Sequence, residues 1–277
     1  MPSIVLEGGT LRPIFSSGVM DALLDEDVMF PYCIGVSAGI SNGISYISRQ
    51  KRRNLEIMEK YRLDPRYIGY RNFLKHRSLF GLDFVFGEIP AKLIPFDTAT
   101  YRQHSGRVLV GVTNARTGLP EYMDGMQADE HWTMLRATCA IPLVFPAIEI
   151  DGEKYYDGGL ADPIPIRKAI ADGNDKHLIV LTQPKGYRKT LSKQNVAVAR
   201  LLRRKYPQLK QVLLTRHERY NETVAFCEQL EREGSAVIIR PEVKLDSFEK
   251  DIGKLRDACR HGYELAMRRM EEIRELF

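Results

Sequence analysis

The sequence predicts an α/β fold with three layers, α/β/α, around a central, mostly parallel sheet. Residues 1–48 contain a strand, a glycine-rich loop, a helix, a second strand, a tight turn and a second helix, an order typical of parallel sheets. The same alternation continues along the chain. With 277 residues, 44% of them hydrophobic and 28% charged, the composition is that of an ordinary globular protein with a substantial core.

The N-terminal elements follow from apolar runs and helical spacing. The apolar run at residues 3–6 predicts a buried strand. Apolar residues then recur at helical spacing from about residue 15 to residue 27, which predicts a helix. A second apolar run at residues 31–34 predicts another strand, and the small residues that follow it have a helical period.

The middle of the chain is less regular. Residues 49–106 are highly charged, and prolines interrupt any long helix, so we predict a helix-rich insertion over one end of the sheet. Residues 108–112 return to strand character, and a turn at residues 117–118 precedes a further strand. A short helix is predicted to stop before Pro142.

The clearest local prediction is a hairpin with strands at residues 148–150 and 154–156, joined by Asp151 and Gly152. The sequence then predicts two more strands, a buried one at 177–182 and a last one at 236–240. It also predicts three helical segments, of which the last is a long amphipathic helix within residues 248–276. The other two helices, at 196–202 and 212–233, are interrupted near Pro207.

We predict one domain over residues 1–277. Its core spans about residues 4–184, the insertion about 49–106, and an αβα extension about 185–277.

The net charge of +5 makes the chain mildly basic. This charge suits an anionic membrane surface or an acidic substrate, and it is too small to indicate nucleic-acid binding. Residues 196–211 place basic residues beside apolar ones. We interpret this stretch as an ordinary amphipathic helix, with peripheral membrane contact as the alternative.

The four cysteines contain no C-x-x-C pair, so we predict no zinc site and no cofactor. Cys33 and Cys139 lie in apolar contexts, which indicates core positions. The sequence shows neither a signal peptide nor an apolar stretch long enough to span a bilayer, and we therefore expect a cytoplasmic protein.

The pentapeptide G-V-S-A-G places Ser37 between Gly35 and Gly39. A serine on a sharp strand-to-helix turn projects its hydroxyl above the sheet, and the helix N-terminus stabilises negative charge beside it. A glycine-rich packing turn is the alternative interpretation. The apolar run before the motif and the helical pattern after it favour a nucleophile.

A serine nucleophile needs a base. Asp157 ends the second hairpin strand, and the following Gly158 and Gly159 allow close approach to its carboxylate. An ordinary Asp-Gly-Gly turn explains the same residues. Three histidines come late enough for a Ser–Asp–His order, but none has a supporting motif: His177, His217 and His261.

The loop E-G-G-T-L-R-P at residues 7–13 admits two interpretations. It can hold a phosphate, or it can present backbone N–H groups to a developing oxyanion. A dinucleotide fingerprint is incomplete, because Thr10 and Pro13 occupy its second and third glycine positions. A nucleotide- or phosphate-binding protein is therefore the less favoured hypothesis.

These three motifs occur together and in order: E-G-G-T-L-R-P, G-V-S-A-G, and A-T-C-A-I-P followed by D-G-G. In this combination the chain resembles the patatin-like phospholipase family from residue 4 to about residue 184. The segment T-N-A-R-T-G-L-P-E-Y-M is also similar to the family's mid-sheet segment. The C-terminal part resembles bacterial members of the family more weakly.

The resemblance implies a Ser–Asp dyad without histidine, in which Ser37 is the nucleophile and Asp157 the general base. It also implies a lipid acyl hydrolase, of the phospholipase A type or an esterase, that forms an acyl-enzyme and acts on lipid or acyl esters. The alternative is a catalytically weak or inactive lipid- or partner-binding member of the same fold.

The resemblance further implies an oxyanion hole made of the N–H groups of Gly9 and Thr10, with Gly8 shaping the turn. The general geometry of such turns adds the N–H of Ala38. Arg12 matches the family's arginine, which would bind a substrate phosphate or anchor the loop.

The loop departs from the family at two positions, where Thr10 and Pro13 replace glycines. A β-branched residue resists positive φ, so we expect the loop either to use negative φ at Thr10 or to be strained. Pro13 lacks an N–H but fits the first turn of a helix, so it is not expected to disturb the fold.

Overall fold

The computed structural model describes residues 1–69, 72 and 78–277. Its strands are β1 (Pro2–Leu6), β2 (Tyr32–Val36), β3 (Arg107–Asn114), β4 (Pro120–Asp124), β5 (Ile148–Ile150), β6 (Glu153–Asp157), β7 (Lys176–Val180) and β8 (Ala236–Ile239). They form one eight-stranded sheet in the order β5-β6-β3-β2-β1-β7-β8, with β4 also paired to β3. The strands from β3 to β8 in this order are parallel, and β4, β5 and β6 add antiparallel pairs beside β3.

The helices are α1 (Ile14–Asp25), α2 (Ala38–Ile47), α3 (Arg53–Tyr61), α4 (Thr98–Arg102), α5 (Thr133–Thr138), α6 (Ile166–Ala171), α7 (Lys193–Leu202), α8 (Pro207–Arg232), α9 (Ile252–Arg268) and α10 (Met270–Arg274). A π-helix spans Phe84–Leu93, and short 3₁₀ helices span Gly125–Gln127 and Gly158–Leu160. Within the described residues, none of the helices combines the length and apolarity that crossing a membrane requires.

The two faces of the sheet bury different sets of helices, because successive strand residues point to opposite sides. Ile4 and Leu6 of β1 pack in a cluster with residues of α1, α2, α9 and α10. Val5, between them, packs on the other face with residues of α6 and α8. These two clusters confirm the predicted α/β class and its three layers.

The predicted hairpin is confirmed by β5 and β6. Asp151 and Gly152 have φ values of 50° and 81°, as a tight turn between two antiparallel strands requires. Helix α8 begins at Pro207, earlier than the predicted residue 212, because proline is tolerated in the first turn of a helix. The terminal helix ends at Arg268, and the short α10 follows it.

The predicted insertion at residues 49–106 contains α3, the π-helix and α4. Residues 70, 71 and 73–77 of this region lie outside the described residues. Phe84 and Ile89 of the π-helix pack in one cluster with Leu11 and Ile14, which follow β1. The insertion therefore covers the chain where it leaves the carboxyl end of the first strand.

Helices α1 and α9 pack so closely that glycine is required where they cross. A Cβ on Gly18 of α1 would lie 1.8 Å from the carbonyl oxygen of Cys259, and one on Gly262 of α9 would lie 2.0 Å from that of Phe15. Both obstacles are backbone atoms, which cannot move aside as a flexible side chain can. This contact fastens the C-terminal helix to the first helix of the chain.

We expect Gly262→Ala to lower the free energy of unfolding by about 1–3 kcal/mol, because the added methyl group overpacks the contact between α1 and α9. Urea unfolding followed by circular dichroism measures the change. Gly87→Ala is the control, since its Cβ would meet nothing nearer than Arg136 Nη2 at 3.9 Å. Equal stability of the two variants would contradict the close packing of these helices.

Candidate active site

Strands β1, β2 and β7 end together at the point where the order of strands in the sheet reverses. β1 lies between β2 and β7: the chain continues outward on one side through β2 and β3, and later on the other side through β7 and β8. Loops at the carboxyl ends of parallel strands diverge at such a point and leave a crevice, which is the usual ligand site of open α/β sheets. Glu7 follows β1, Ser37 follows β2, and Thr182 lies just beyond β7.

Ser37 sits on a strained turn between β2 and α2. Its φ of 53° is in the left-handed region, which costs a non-glycine residue on the order of 1–3 kcal/mol. The surrounding structure holds this conformation: the Ser37 N–H donates to Thr138 Oγ1 at 2.8 Å, and the Thr138 hydroxyl donates to the Gly111 carbonyl at 2.5 Å. The Ser37 hydroxyl thus stands at the N-terminus of α2.

Gly35, Ala38 and Gly39 surround this turn. Gly39, the second residue of α2, lies directly against the end of β1, and a Cβ there would lie 2.5 Å from the Glu7 carbonyl oxygen. Only glycine allows the helix and the strand to approach this closely. Gly35 lies within β2, and Ala38 is the first residue of α2.

Asp157 lies at the end of β6, and the antiparallel pairing of β6 with β3 brings it to Ser37. The buried carboxylate interacts with the Ser37 side chain, and its Oδ1 accepts the N–H of Gly159 at 2.8 Å. Burial raises the pKa of Asp157 above its ordinary value. The hydrogen bond from Ser37 and the charge of Arg216 oppose this shift of the pKa without cancelling it.

The loop after β1 brings Thr10 to the other side of Ser37. Thr10 has a φ of 59°, so of the two expected conformations the loop adopts the strained one, with positive φ at a β-branched residue. Bonds on either side hold the loop in place. The Thr182 hydroxyl donates to the Gly8 carbonyl at 3.2 Å, and the Leu11 N–H donates to the Ser247 carbonyl at 3.2 Å.

Arg12 anchors this loop rather than standing free. Its Nη1 donates to Ser247 Oγ at 2.7 Å and its Nε to Thr182 Oγ1 at 3.3 Å. The guanidinium lies beneath Gly9, where a Cβ would come within 2.7 Å of Nη2. Pro13 directly precedes α1, so its missing N–H disturbs no helical hydrogen bond.

Several backbone donors around Ser37 remain unused. Within the described part of the chain, no group accepts from the N–H groups of Gly9, Thr10 and Ala38. Unused N–H groups beside a serine hydroxyl, together with the N-terminus of α2, form an environment that favours negative charge.

An apolar cavity of about 130 Å³ opens beside Ser37. Thr10, Ser37 and Ala38 are among the residues that line it. Much of the remaining wall comes from the predicted insertion, including Ile57, Met58, Phe80, Val85 and Phe86. Such a cavity suits an apolar group held beside Ser37.

Cys139 corrects one sequence expectation. It is only partly buried and lines the cavity, with its Sγ 3.3 Å from Ser41 Oγ and in reach of the Ser37 hydroxyl. Burial raises the pKa of its thiol to about 12, which leaves the thiol protonated and unreactive at neutral pH. Cys33, by contrast, is buried in the core as expected.

The three candidate histidines make contacts away from Ser37 and Asp157. His177 pairs with Ser3 at the far end of β1, and burial lowers its pKa to about 4. His217 lies near Glu218, and His261 packs on Phe15. None of these contacts involves Ser37 or Asp157. No three His, Cys, Asp or Glu side chains converge on a metal site in the described residues.

Sequence reasoning missed the charged groups behind the site. Glu7 is buried and accepts the Thr182 N–H through Oε2 at 2.6 Å. Arg216 of α8 donates through Nε to the Gly159 carbonyl at 2.7 Å. Lys189 lies with its Nζ 3.6 Å from the centre of the Tyr220 ring. Only tertiary packing brings these three residues together, and no local motif marks them.

Comparison with known proteins gives two family matches. A model described as "Patatin-like phospholipase" matches residues 4–170, more than half of the chain. A model described as "Domain of unknown function (DUF6363)" matches residues 206–277.

The chain is also similar to individual proteins. The "Uncharacterized protein YjjU" of Escherichia coli (strain K12) is 27% identical over 188 residues, which cover 66% of this chain and 52% of that protein. The match thus spans about half the length of this curated relative. VipD from Legionella pneumophila aligns in structure with a TM-score of 0.48 and 16% identity, over 98% of this chain and 66% of that one.

We expect Thr10→Gly to raise the free energy of unfolding by about 1 kcal/mol, because glycine removes the strain of a positive φ. Thr10→Ala is the matched control: it shortens the side chain but keeps a Cβ, and its stability should stay within about 0.5 kcal/mol of wild type. Urea unfolding compares the three proteins. Equal stabilities of the glycine and alanine variants would contradict strain at Thr10.

Proposed function

The chain belongs to the patatin-like phospholipase family, and from this premise we propose that it is a lipid acyl hydrolase that uses Ser37 and Asp157. Its reaction is that of a phospholipase A or a related esterase. One observation supports this most strongly: the Ser37 hydroxyl, on a strained turn, meets the buried Asp157 carboxylate beside an apolar cavity.

In the first half of the reaction, Ser37 Oγ attacks the ester carbonyl carbon and its proton passes to the Asp157 carboxylate. A carboxylate with an ordinary pKa is a weak base for a hydroxyl, and burial strengthens it by raising the pKa. The tetrahedral intermediate then collapses, the alcohol leaves with the proton from Asp157, and the acyl group stays on Ser37.

The negative charge of each tetrahedral intermediate falls on the former carbonyl oxygen. The unused N–H groups of Gly9, Thr10 and Ala38 are the donors proposed for it, supported by the dipole of α2. Gly8 and Arg12 contribute indirectly, by holding the loop in the conformation that presents these N–H groups. Strain at Thr10 does not remove its N–H, so the departure from glycine leaves the donor in place.

In the second half, Asp157 takes a proton from water, and the resulting hydroxide equivalent attacks the acyl carbon. The intermediate collapses to a carboxylic acid, and Asp157 donates the proton to the leaving Ser37 Oγ. The cavity walls, largely apolar, hold the acyl chain and exclude other water from the ester bond. An alcohol that replaced water in this step would give acyl transfer instead.

An inactive lipid- or partner-binding protein on the same fold is the second candidate. The strained Thr10 at a position where glycine is expected is the observation that favours it. The two candidates differ in whether any turnover depends on Ser37.

We expect Ser37→Ala and Asp157→Asn each to lower kcat for a short-chain p-nitrophenyl ester by at least about 1,000-fold, since each removes one partner of the proton transfer. Circular dichroism should show an unchanged fold, and a phosphonate probe should label Ser37 in the wild type.

Ser41→Ala is the matched control, because Ser41 lines the same cavity one turn further along α2. It should stay within about tenfold of wild type. Full activity in either dyad variant would refute the assignment, and a wild type without turnover or labelling would favour the inactive protein. A lipid panel run on wild type and Ser37→Ala would then identify the substrate.

Peripheral contact with an anionic membrane is proposed for residues 196–211. The sequence has no Asp or Glu between Lys176 and His217, whereas it has many Lys and Arg residues there. Arg200, Arg203 and Arg204 are exposed and form no ion pair with a described residue, and Leu201 beside them is 66% exposed. Cations flanking an exposed apolar side chain suit the surface of an anionic bilayer.

This surface adjoins the cavity. Ala199 of α7 and Tyr206 pack in one cluster with Phe145, which also lines the cavity. Binding through residues 196–211 would therefore bring the substrate bilayer to the side of the molecule on which Phe145 lies.

We expect Arg203→Glu/Arg204→Glu to weaken sedimentation with phosphatidylglycerol vesicles at least about tenfold, since each cation near an anionic surface contributes on the order of 1 kcal/mol. Phosphatidylcholine vesicles should bind little of either protein. Arg232→Glu/Arg268→Glu has the same charge change at exposed positions elsewhere and should bind like wild type. Equal binding to phosphatidylglycerol and phosphatidylcholine vesicles would rule out residues 196–211 as a surface that binds anionic membranes.

A further inference from the structure

Helix α8 reaches the turn that holds Asp157. This helix lies in the region of residues 206–277 that matches a domain of unknown function, outside the patatin match. Arg216 of α8 donates through Nε to the Gly159 carbonyl at 2.7 Å. The N–H of the same Gly159 donates to Asp157 Oδ1 at 2.8 Å. One peptide turn therefore connects the guanidinium to the carboxylate.

We propose that Arg216 is a positioning residue of this reaction, supplied by the C-terminal region, which fixes the Asp157–Gly159 turn and keeps the Asp157 carboxylate directed at Ser37. The proposal rests on the proposed function. Without Arg216, the Gly159 carbonyl loses a charge-assisted hydrogen bond, which is about twice as strong as a neutral one.

The position of the guanidinium also suits a base that must stay free. A Cβ on Gly159 would lie 3.0 Å from Asp157 Oδ1 and 3.6 Å from Arg216 Nη2, so carboxylate and guanidinium flank the same glycine. Arg216 nevertheless makes no direct ion pair with Asp157 within 4.0 Å among the described residues. A direct bidentate pair would occupy the oxygens that have to accept the Ser37 proton.

The charge of Arg216 acts on Asp157 as well. Five groups face this carboxylate: the Ser37 hydroxyl, the Gly159 N–H, Arg216, Lys189 and the Cys139 thiol. Burial raises the pKa of Asp157, and among the charged groups Arg216 opposes this most strongly. Lys189 is a poor substitute, because burial and the nearby Arg216 and Arg12 hold its pKa well below its ordinary value.

Helix α8 provides a matched control residue. Arg219 lies one turn after Arg216, is also half-buried, and donates through Nη2 to the Leu160 carbonyl at 3.1 Å and the Val212 carbonyl at 2.7 Å. Its charge faces Asp162 rather than Asp157. Replacing Arg219 therefore removes an equivalent structural contact without touching the proposed base.

The test compares wild type, Arg216→Gln, Arg216→Lys and Arg219→Gln. Each protein is assayed over a range of pH with a short-chain p-nitrophenyl ester, and its thermal unfolding is recorded. Arg216→Gln should lower kcat at neutral pH about 10- to 100-fold with little change in KM. It should also move the acid limb of kcat/KM to higher pH, because loss of a facing cation raises the pKa of Asp157 and the reaction needs its carboxylate.

Arg216→Lys retains the positive charge but lacks the planar guanidinium and its several N–H donors. The acid limb of kcat/KM should therefore stay near its wild-type position, whereas kcat should remain reduced. Arg219→Gln should lower thermal stability. It should leave kcat and the acid limb of the kcat/KM profile close to those of wild type. The proposal would be overturned if Arg216→Gln had the kcat and the pH profile of wild type. It would also be overturned if Arg219→Gln moved the acid limb of kcat/KM as far as Arg216→Gln does. If Arg216→Gln fails to fold, Arg216→Lys with a wild-type kcat would overturn it as well.

The failure of the proposed function gives a different result from the failure of this inference. Turnover that is lost in Ser37→Ala but unaffected in Arg216→Gln overturns only the role of Arg216. Absence of Ser37-dependent turnover and of phosphonate labelling in the wild type overturns both.

Discussion

The parallel pairing of β1 with two neighbours is the constraint on which the site depends. Leu6 is in register with Gly35 of β2 and with Val180 of β7, so the three strands end at one level of the sheet. A slip of one residue would turn the side chains of a strand to the opposite face and into the wrong helical layer. The burial of both faces therefore determines where the loop after β1, Ser37 and Thr182 meet.

The charges behind the site are balanced within a small volume. Glu7 and Asp157 are buried carboxylates, and the charge of Arg216 acts on both of them. Buried charges are costly unless hydrogen bonds and opposite charges compensate them. Here Arg216 binds the Asp157–Gly159 turn through the Gly159 carbonyl while its charge compensates both carboxylates. The same contacts thus neutralise charge and shape the backbone around Ser37.

Local patterns in the sequence predicted those parts of the site that local chemistry determines. The turn at Ser37 and the hairpin that ends at Asp157 depend on neighbouring glycines and apolar runs, which stand in the sequence itself. The sequence predicts a core position for Cys139, because the wall of an apolar cavity and the interior have the same apolar composition. For Thr10 the sequence allows two conformations, since only the anchoring of its loop determines which one it adopts.

Arg216 and Ser247 lay beyond sequence reasoning for a different reason. Arg216 stands in a charged helical stretch that looks like any solvated surface, and Ser247 stands in an irregular segment. Their contacts depend on how α8 and the segment before α9 pack against the sheet. No spacing in the sequence records that packing, because the partners are separated from them by 57 and 235 residues.

The two bonds from the loop after β1 to Ser247 have a consequence for the order of events during synthesis. A nascent chain that has reached residue 170 already contains Ser37, Asp157 and the whole loop, yet it lacks the carbonyl and hydroxyl that hold Leu11 and Arg12. The loop gains its final anchoring only after residue 247 has left the ribosome. Ser37 and Asp157 are thus present on the ribosome well before the contacts that anchor the neighbouring loop can form.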